Sequence, residues 1–175
     1  GAGRVPAIDQ LDLAAANVEA GDKGVAVNAY LQSTSNPKIY AAGDAADTQG
    51  APLTPVAVFE GKVAASNMLK GNRTKPDYSG VPSAVFTVPE LTRVGMLEQD
   101  AREAGHDIRV VENDTGDWYS NLRVGESCAA TKVIIDKDSD TILGAHLLGP
   151  EYGEIINFFG LAIRLGLTTS DLKKM

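Results

Sequence analysis

Apolar and polar positions divide the chain into two stretches of different character. In the first stretch, apolar runs at 25–27 and 39–42 have the composition of short strands, and Asn36-Pro37 between them indicates a turn. Residues 72–82 have little hydrophobic periodicity and are predicted to form a linker. Beyond this linker, short β-prone runs follow one another closely, which predicts antiparallel strands.

One helix is predicted in the first stretch, from Thr54 to about Lys70. Thr54 suits the N-cap, Pro55 suits the first helical position, and Gly71 is a natural stop. Positions at three- and four-residue spacing predict the packed face of this helix. They are Val56, Phe59, Val63, Ser66 and the Asn67-Met68 pair.

The second stretch predicts mainly strands. They lie at 85–88, 93–95, 107–112, 130–135 and 141–148, and the last two read as a hairpin around the turn 136–140. A short helix is predicted at 98–104, ending at Gly105, and Ser170 is a candidate N-cap for a further helix.

The helix predicted at 151–166 is the strongest in the chain. Apolar residues occupy nearly all of its sides, so we expect it to be buried on more than one side. In a small domain this pattern favours a subunit interface. The apolar residues are Ile155, Ile156, Phe158, Phe159, Leu161, Ala162, Ile163 and Leu165.

The charge and composition of the chain limit the classes of partner that we expect it to bind. The 175 residues include 16 basic and 23 acidic side chains, a formal net charge of −7, with no basic cluster. Nucleic acid is therefore not expected as a partner, because phosphate binding needs concentrated Lys and Arg. No apolar run reaches the ~18 residues of a spanning helix, so no membrane partner is expected. The single cysteine, Cys128, excludes an intrachain disulfide and favours a cytoplasmic location.

The strongest local candidate for chemistry is Gly43-Asp44, which follows a predicted strand. Glycine permits close backbone approach, and aspartate accepts hydrogen bonds from sugar or ribityl hydroxyls. The alternative is an aspartate that caps the next turn. The helix start at Thr54-Pro55 offers N–H groups and a positive dipole end, as helix starts generally do.

Metal and thiol sites receive little support. The acidic turn 136–140 matches the beginning of a calcium loop, but Thr141 stands at the loop's glycine position and Leu147 at its glutamate position. A plain turn is the better interpretation. His106 and His146 are isolated and lack neighbours at ligand spacing.

An ordered series of motifs runs through the chain. The first part holds Gly3-Arg-Val-Pro6, Ile39-Tyr-Ala-Ala-Gly-Asp44, Leu53-Thr-Pro-Val-Ala57 and Glu60-Gly-Lys-Val-Ala-Ala-Ser-Asn67. The second holds Val85-Phe-Thr-Val-Pro-Glu90, Ile142-Leu-Gly-Ala-His-Leu-Leu-Gly-Pro150 and Glu154-Ile-Ile-Asn157. Together they resemble the C-terminal part of the flavoprotein pyridine nucleotide-disulfide oxidoreductases, which include glutathione reductase, dihydrolipoamide dehydrogenase and mercuric reductase.

The resemblance implies a fold and a division of the chain. Residues 1–75 would be an incomplete part of an α/β FAD-binding domain. Residues 76–175 would be an α+β dimerisation domain, an antiparallel sheet flanked by helices. A homodimer is implied, with helix 151–166 at its interface.

The resemblance also implies a cofactor site. Gly43 and Asp44 would bind the ribityl or pyrophosphate part of FAD, and the helix start at Thr54 and Pro55 would point N–H groups at the flavin. Gly3 would lie in the loop that returns from the nicotinamide domain. In the parent enzyme, hydride would pass from NAD(P)H to FAD, then to a Cys pair, then to a disulfide or metal substrate.

Departures from the family pattern favour a fragment. The Gly-rich FAD fingerprint, the Cys pair, the nicotinamide domain and the later His-Pro motif are all missing from these 175 residues. We therefore expect this piece alone to be inactive and to bind FAD weakly or not at all. Two alternatives stay open: a non-catalytic dimeric module derived from this domain, and a flavin reductase or oxidase, or a metal-ion reductase, of the same family.

Overall fold

A computed structural model describes residues 5–174. The chain divides into two units, Gly1–Tyr78 and Ser79–Met175. The boundary expected from the sequence, between residues 75 and 76, lies slightly earlier. Gly3, one of the predicted site residues, is outside the described residues.

The first unit is built around one long helix and a small sheet. The elements are 3-10 turns at Asp9–Leu11, Leu13–Ala16 and Gly43–Ala45, strands β1 (Ala20–Gly21), β2 (Gly24–Ala26) and β3 (Ala46–Asp47), and helix α1 (Thr54–Lys70). Strand β1 pairs antiparallel with β2, and β2 pairs parallel with β3. The predicted strand at 25–27 is therefore present, with slightly earlier bounds.

Helix α1 begins and ends where predicted, but its cap differs. Leu53 is the N-cap: its backbone is extended, and its carbonyl accepts the N–H of Ala57 at 2.9 Å. Thr54 is thus the first helical residue and not the cap, and Pro55 is the second. Proline is tolerated there because N–H groups of the first turn have no intrahelical partner.

The buried face of α1 is partly different from the predicted face. Phe59 is 39% exposed, whereas Glu60 is buried between Val56 and Val63. Farther along, the Asn67 amide donates to the carbonyls of Tyr30 and Thr74. Asn67 is therefore on the buried face as predicted, whereas the buried Glu60 was not predicted and the predicted Met68 is exposed.

The strand predicted at 39–42 does not form. Only Tyr40 makes a bridge, to Gln32, and the ladder does not extend. Next to Gln32, Leu31 has a φ of 65°, which breaks the extended conformation that a paired strand needs. The apolar side chains of the segment still pack, since Tyr40 and Ala42 contact the core formed by Leu31, Val63 and Ala64.

The second unit contains five strands: β4 (Ser83–Val85), β5 (Glu90–Gly95), β6 (Ile108–Asp114), β7 (Ala130–Asp136) and β8 (Ile142–Gly149). They form one antiparallel sheet in the order β4-β5-β8-β7-β6. The helices are α2 (Glu98–Glu103), α3 (Tyr119–Leu122), α4 (Tyr152–Leu165) and α5 (Thr169–Leu172). The predicted α+β architecture, with an antiparallel sheet flanked by helices, is confirmed.

Helices cover both faces of this sheet. Helix α4 packs through Ile156 on Val94 and Ala145, whereas α2 packs through Ala101 on Ile134. Val133 pairs with Ala145, so the next residue, Ile134, points to the opposite face. Each face of the sheet therefore has its own apolar core.

Two details of the second unit correct the sequence-based expectations. Strand β4 ends at Val85, because the N–H of Thr87 turns back to the Val85 carbonyl at 2.8 Å, and Val88 is exposed. The N-cap of α5 is Thr168, not Ser170. Thr168 forms a capping box with Asp171, each side chain accepting the other residue's backbone N–H.

Candidate cofactor-binding and dimerisation sites

Gly43 and Asp44 line a cleft of about 440 Å³ in the first unit. They belong to the 3-10 turn Gly43–Ala45, which leads directly into β3. Lys23, Thr48 and Glu60 contribute polar groups to the same cleft. Two residues predicted to act together are thus neighbours in one concave site.

Gly43 fits a backbone position that other residues tolerate poorly. Its φ is +66°, and a Cβ added there would lie 2.8 Å from the Cβ of Ala57. Its N–H donates to Oε2 of Glu60 at 2.6 Å. The turn is therefore held against α1 in two ways, by close packing on Ala57 and by a hydrogen bond to Glu60.

The charge of the cleft favours hydroxyl groups over phosphates. Among the described lining residues, Asp22, Asp44 and Glu60 are acidic and Lys23 is the basic one. Asp44 is exposed at the surface of the cleft. A carboxylate accepts hydrogen bonds from hydroxyls, whereas a phosphate presents only acceptors and a second negative charge.

The other predicted site residues are not brought into this cleft. Thr54 and Pro55 are exposed at the start of α1 and are not among the residues that line it. Thr54 could contribute its backbone N–H and the dipole of a 17-residue helix, whereas Pro55 has no N–H to donate.

Glu60 is the functional candidate that sequence reasoning missed. It is 1% exposed, and its Oε1 accepts the hydroxyls of Thr48 at 2.8 Å and Tyr78 at 2.6 Å. Burial, followed by the hydrogen bond to Glu60, raises the pKa of Tyr78 to about 12. The available signal was its position, four residues after Val56 and three before Val63, which places an acid on the buried face of α1.

Helix α4 presents an exposed apolar stripe in the second unit. One side of the helix is buried on the sheet through Tyr152 and Ile156. The side facing away remains accessible and carries four large apolar residues at three- and four-residue spacing. They are Ile155, Phe158, Leu161 and Leu165. The helix is therefore apolar on more than one side, as expected, but only one of these sides is covered by the described part of the chain.

A shallow groove of about 560 Å³ lies on the sheet of the second unit. Cys128, Lys132 and His146 are among its lining residues, and Cys128 is exposed. Burial lowers the pKa of His146, and its Nε2 lies 3.3 Å from the carbonyl of Met96. The groove lacks a second thiol within hydrogen-bond or disulfide reach, since Cys128 is the chain's single cysteine.

Residues 5–174 offer neither a metal site nor a membrane-spanning helix. No three His, Cys, Asp or Glu side chains in this part of the chain converge to hold a metal ion. The turn 136–140 is a plain turn, in which Asp136 Oδ1 accepts the N–H groups of Asp138 and Ser139. No helix in the same part of the chain is long and apolar enough to cross a membrane.

The fold defines a class of protein: an α+β domain whose antiparallel sheet is flanked by helices, one of which, α4, carries an exposed apolar stripe. The family model for the pyridine nucleotide-disulphide oxidoreductase dimerisation domain matches residues 81–175. The chain therefore belongs to the pyridine nucleotide-disulfide oxidoreductase family, and its second unit is the dimerisation domain of that family.

Similar proteins support this assignment and differ in length. An uncharacterized 19.7 kDa protein in a mercuric resistance operon of Staphylococcus aureus is 52% identical, over 94% of this chain and 92% of its own length. Mercuric reductase of Staphylococcus aureus is 37% identical over 97% of this chain, which spans 31% of that enzyme. The Cu(II) complex of the flavoprotein disulfide reductase RclA from Escherichia coli has a TM-score of 0.86 at 30% identity, with 100% of this chain and 40% of RclA covered.

Proposed function

We propose that this chain supplies the homodimerisation surface, and one wall of the FAD site, of an FAD-dependent NAD(P)H:disulfide oxidoreductase. The exposed apolar stripe on α4 carries this proposal, because such a stripe in a dimerisation domain is suited to an isologous, two-fold contact. Obligate interfaces of this kind are hydrophobic and bury roughly 2,000 Å² or more. Helix 151–166 is the element that we place at the interface.

The first unit offers a partial fit for FAD. The cleft at Gly43 and Asp44 is too small for the whole dinucleotide, and its acidic lining suits a polyol better than a pyrophosphate. We therefore assign Asp44 to the ribityl hydroxyls and Gly43 to close backbone approach. Thr54 and Pro55 would place the positive end of α1 toward the ring, and Gly3 would complete the site.

FAD, when bound, accepts hydride from NAD(P)H and passes electrons onward. The 175 residues include one cysteine, so the thiol pair of a disulfide reductase would have to come from outside them. We accordingly propose that this chain by itself is not catalytic. Its single thiol, Cys128, supports a reducing cytoplasmic location.

The named relatives favour one substrate class for the parent enzyme. One relative is a mercuric reductase, and another belongs to a mercuric resistance operon. We propose a metal-ion substrate, mercuric ion, ahead of a low-molecular-weight disulfide. Flavin reductase or oxidase activity is the remaining possibility within the family, and no geometry of the described residues favours it.

A non-catalytic dimeric module is the second candidate function. It is supported by the relative of similar length, 92% of which this chain spans. In both candidates α4 makes the dimer contact, so the two differ only in whether the cleft of the first unit is used.

Two measurements test the proposed function. Light scattering should give twice the chain mass of 18.4 kDa at micromolar concentration; a stable monomer would contradict the dimer. FAD added at millimolar concentration to the ¹⁵N-labelled chain should shift the amide signals of Gly43 and Asp44. Asp44→Ala should abolish these shifts, whereas Asp9→Ala, which changes an exposed aspartate elsewhere in the unit, should not. Dimer formation without any FAD-dependent shift would favour the non-catalytic module.

A further inference from the structure

A buried carboxylate lies directly beneath the candidate flavin turn. Glu60 is 1% exposed and accepts three hydrogen bonds, from the Gly43 N–H at 2.6 Å and from the hydroxyls of Thr48 and Tyr78 at 2.8 and 2.6 Å. Burying an ionised carboxyl is costly unless donors surround it, and here each donor comes from a different segment. The three segments are the turn at 43–45, the loop before α1 and the end of the first unit.

The hydrogen bond to Gly43 determines what the turn can do. The Gly43 N–H is donated to Glu60, so it is committed to the protein's interior and fixes the plane of the peptide that joins Ala42 to Gly43, immediately before Asp44. Thr48 in turn accepts the N–H of Gly50, and a Cβ at Gly50 would lie 2.6 Å from Glu60 Oε1. The floor of the cleft is therefore assembled around a single carboxylate.

We propose that Glu60 is a positioning residue for the flavin site: by holding the Gly43 N–H, it sets the direction in which Asp44 presents its carboxylate to the ligand. This inference rests on the proposed flavin site. Glu60 itself does not touch the ligand in this proposal; it acts through the 42–43 peptide, which sets the position of Gly43 and hence of Asp44.

The identity of the donors predicts how substitutions will behave. A glutamine at position 60 keeps one carbonyl oxygen and gains an NH₂ group. The backbone N–H of Gly43 can only donate, whereas the hydroxyls of Thr48 and Tyr78 can rotate to accept. Glu60→Gln should therefore turn its oxygen to Gly43 and its NH₂ to the hydroxyls, and keep the turn. Glu60→Ala has no acceptor for the Gly43 N–H and so cannot keep the turn. Tyr78→Phe removes one donor to Glu60 while leaving the hydrogen bond from Gly43 intact.

The test follows the Gly43 amide in the ¹⁵N-labelled full chain. We expect hydrogen exchange at Gly43 to accelerate about tenfold or more in Glu60→Ala, as fits the loss of a hydrogen bond to a charged acceptor. Exchange at Val63 and Asn67 within α1 reports whether the unit is still folded. Glu60→Gln and Tyr78→Phe should keep Gly43 exchange within a few-fold of the original chain, and Glu19→Ala, an exposed glutamate of the same unit, should change nothing.

The second readout is affinity for FAD, followed by the amide shift of Asp44. Affinity should fall about tenfold in Glu60→Ala and recover in Glu60→Gln. If Glu60→Ala alters neither Gly43 exchange nor FAD affinity, the positioning role is wrong while the flavin site stands. If the original chain shows no FAD-dependent shift, the flavin site is wrong and the role toward a ligand falls with it. If Glu60→Ala loses hydrogen-exchange protection throughout α1, Glu60→Gln decides the outcome. If Gly43 exchange is normal in Glu60→Gln but the affinity of that variant for FAD is weakened, the proposal is also overturned.

Discussion

A charge placed on the exposed stripe of α4 should separate the proposed dimer into folded monomers. Phe158 is the best position, because it is 60% exposed and lies near the middle of the stripe. Phe159, one residue later, packs against the core of the second unit, so Phe159→Asp is expected to unfold the domain. Phe158→Asp therefore tests association, and Phe159→Asp tests folding.

The size of the effect follows from the exposed area. A buried aromatic side chain removes ~150–250 Å² from water, so the 60% of Phe158 that is still exposed corresponds to ~90–150 Å² per copy. At ~25 cal/mol per Å² this is about 2–4 kcal/mol per copy. A two-fold contact uses both copies, which gives about 4–8 kcal/mol per dimer. Since ~1.4 kcal/mol is tenfold, the dissociation constant should rise by about a thousandfold or more.

Sedimentation velocity over a concentration series is the appropriate assay. The original chain should be a dimer at micromolar concentration, and Phe158→Asp should be a monomer with an unchanged circular dichroism spectrum. Asn157→Asp is the matched control, since it adds the same charge to the same helix beside the stripe. The reasoning is refuted if Phe158→Asp dimerises as tightly as the original chain, or if Asn157→Asp dissociates equally well.

Three further predictions concern stability, measured by urea denaturation. Gly61 lies within α1, and Gly61→Ala should stabilise by about 0.5–1 kcal/mol, because a Cβ there would meet no packed neighbour within 4 Å. Gly160→Ala should instead destabilise by about 1–3 kcal/mol despite the same helix propensity, because its Cβ would lie 2.6 Å from the carbonyl oxygen of Gly80. Asn67→Ala should cost about 2–3 kcal/mol, since it leaves buried backbone groups without their partners. The pKa of Asp136 is lowered from 3.8 to about 2, first by the backbone N–H of Ser139 and then by His106. Its stabilising contribution should therefore be present above pH 3.8 and lost as the pH falls toward 2, and Asp136→Asn should flatten that part of the profile.

Each of these has a clear contrary outcome. Equal effects of the two glycine substitutions would show that packing at Gly160 does not matter. Asn67→Asp is the comparison for Asn67→Ala: it keeps the acceptor for two N–H groups but turns an oxygen toward the carbonyls of Tyr30 and Thr74. It should cost at least as much as Asn67→Ala, and a clearly smaller cost would show that the two donated bonds do not matter. An unchanged acid profile in Asp136→Asn would mean that the turn 136–140 contributes nothing to the pH dependence.

Periodicity predicted β6, β7, β8 and α4 well, because each of them is long. It did not predict α3, which has only four residues, and it extended the three-residue strand β4 too far. The hairpin of β7 and β8 has a polar turn between two apolar runs, and α4 has too many apolar positions to be anything but a packed helix. The strand at 39–42 failed for the opposite reason. Its apolar composition reflects packing on the core of the first unit, while Leu31, on the neighbouring segment, interrupts the pairing that a strand requires.

The candidate site was only partly accessible from sequence. Gly43 and Asp44 are adjacent in the chain, so their proximity needed no fold. Glu60 lies 17 residues from Gly43 and Tyr78 lies 18 residues from Glu60, and their contacts depend on how α1 lies against the turn. The sequence can show that an acidic residue lies on the buried face of a helix. It cannot show which groups donate hydrogen bonds to that residue, because this depends on how the other segments fold against the helix.

The position of β8 in the sheet has a consequence for how the protein is made. Strands β4 and β5 pair with each other, as do β6 and β7, but only β8 joins the two pairs, and it is the last strand in the chain. During synthesis the ribosome therefore releases two separate hairpins, each with an exposed edge, before the strand that unites them emerges. Until then the sheet cannot form, and α4, which follows β8, has no surface to cover.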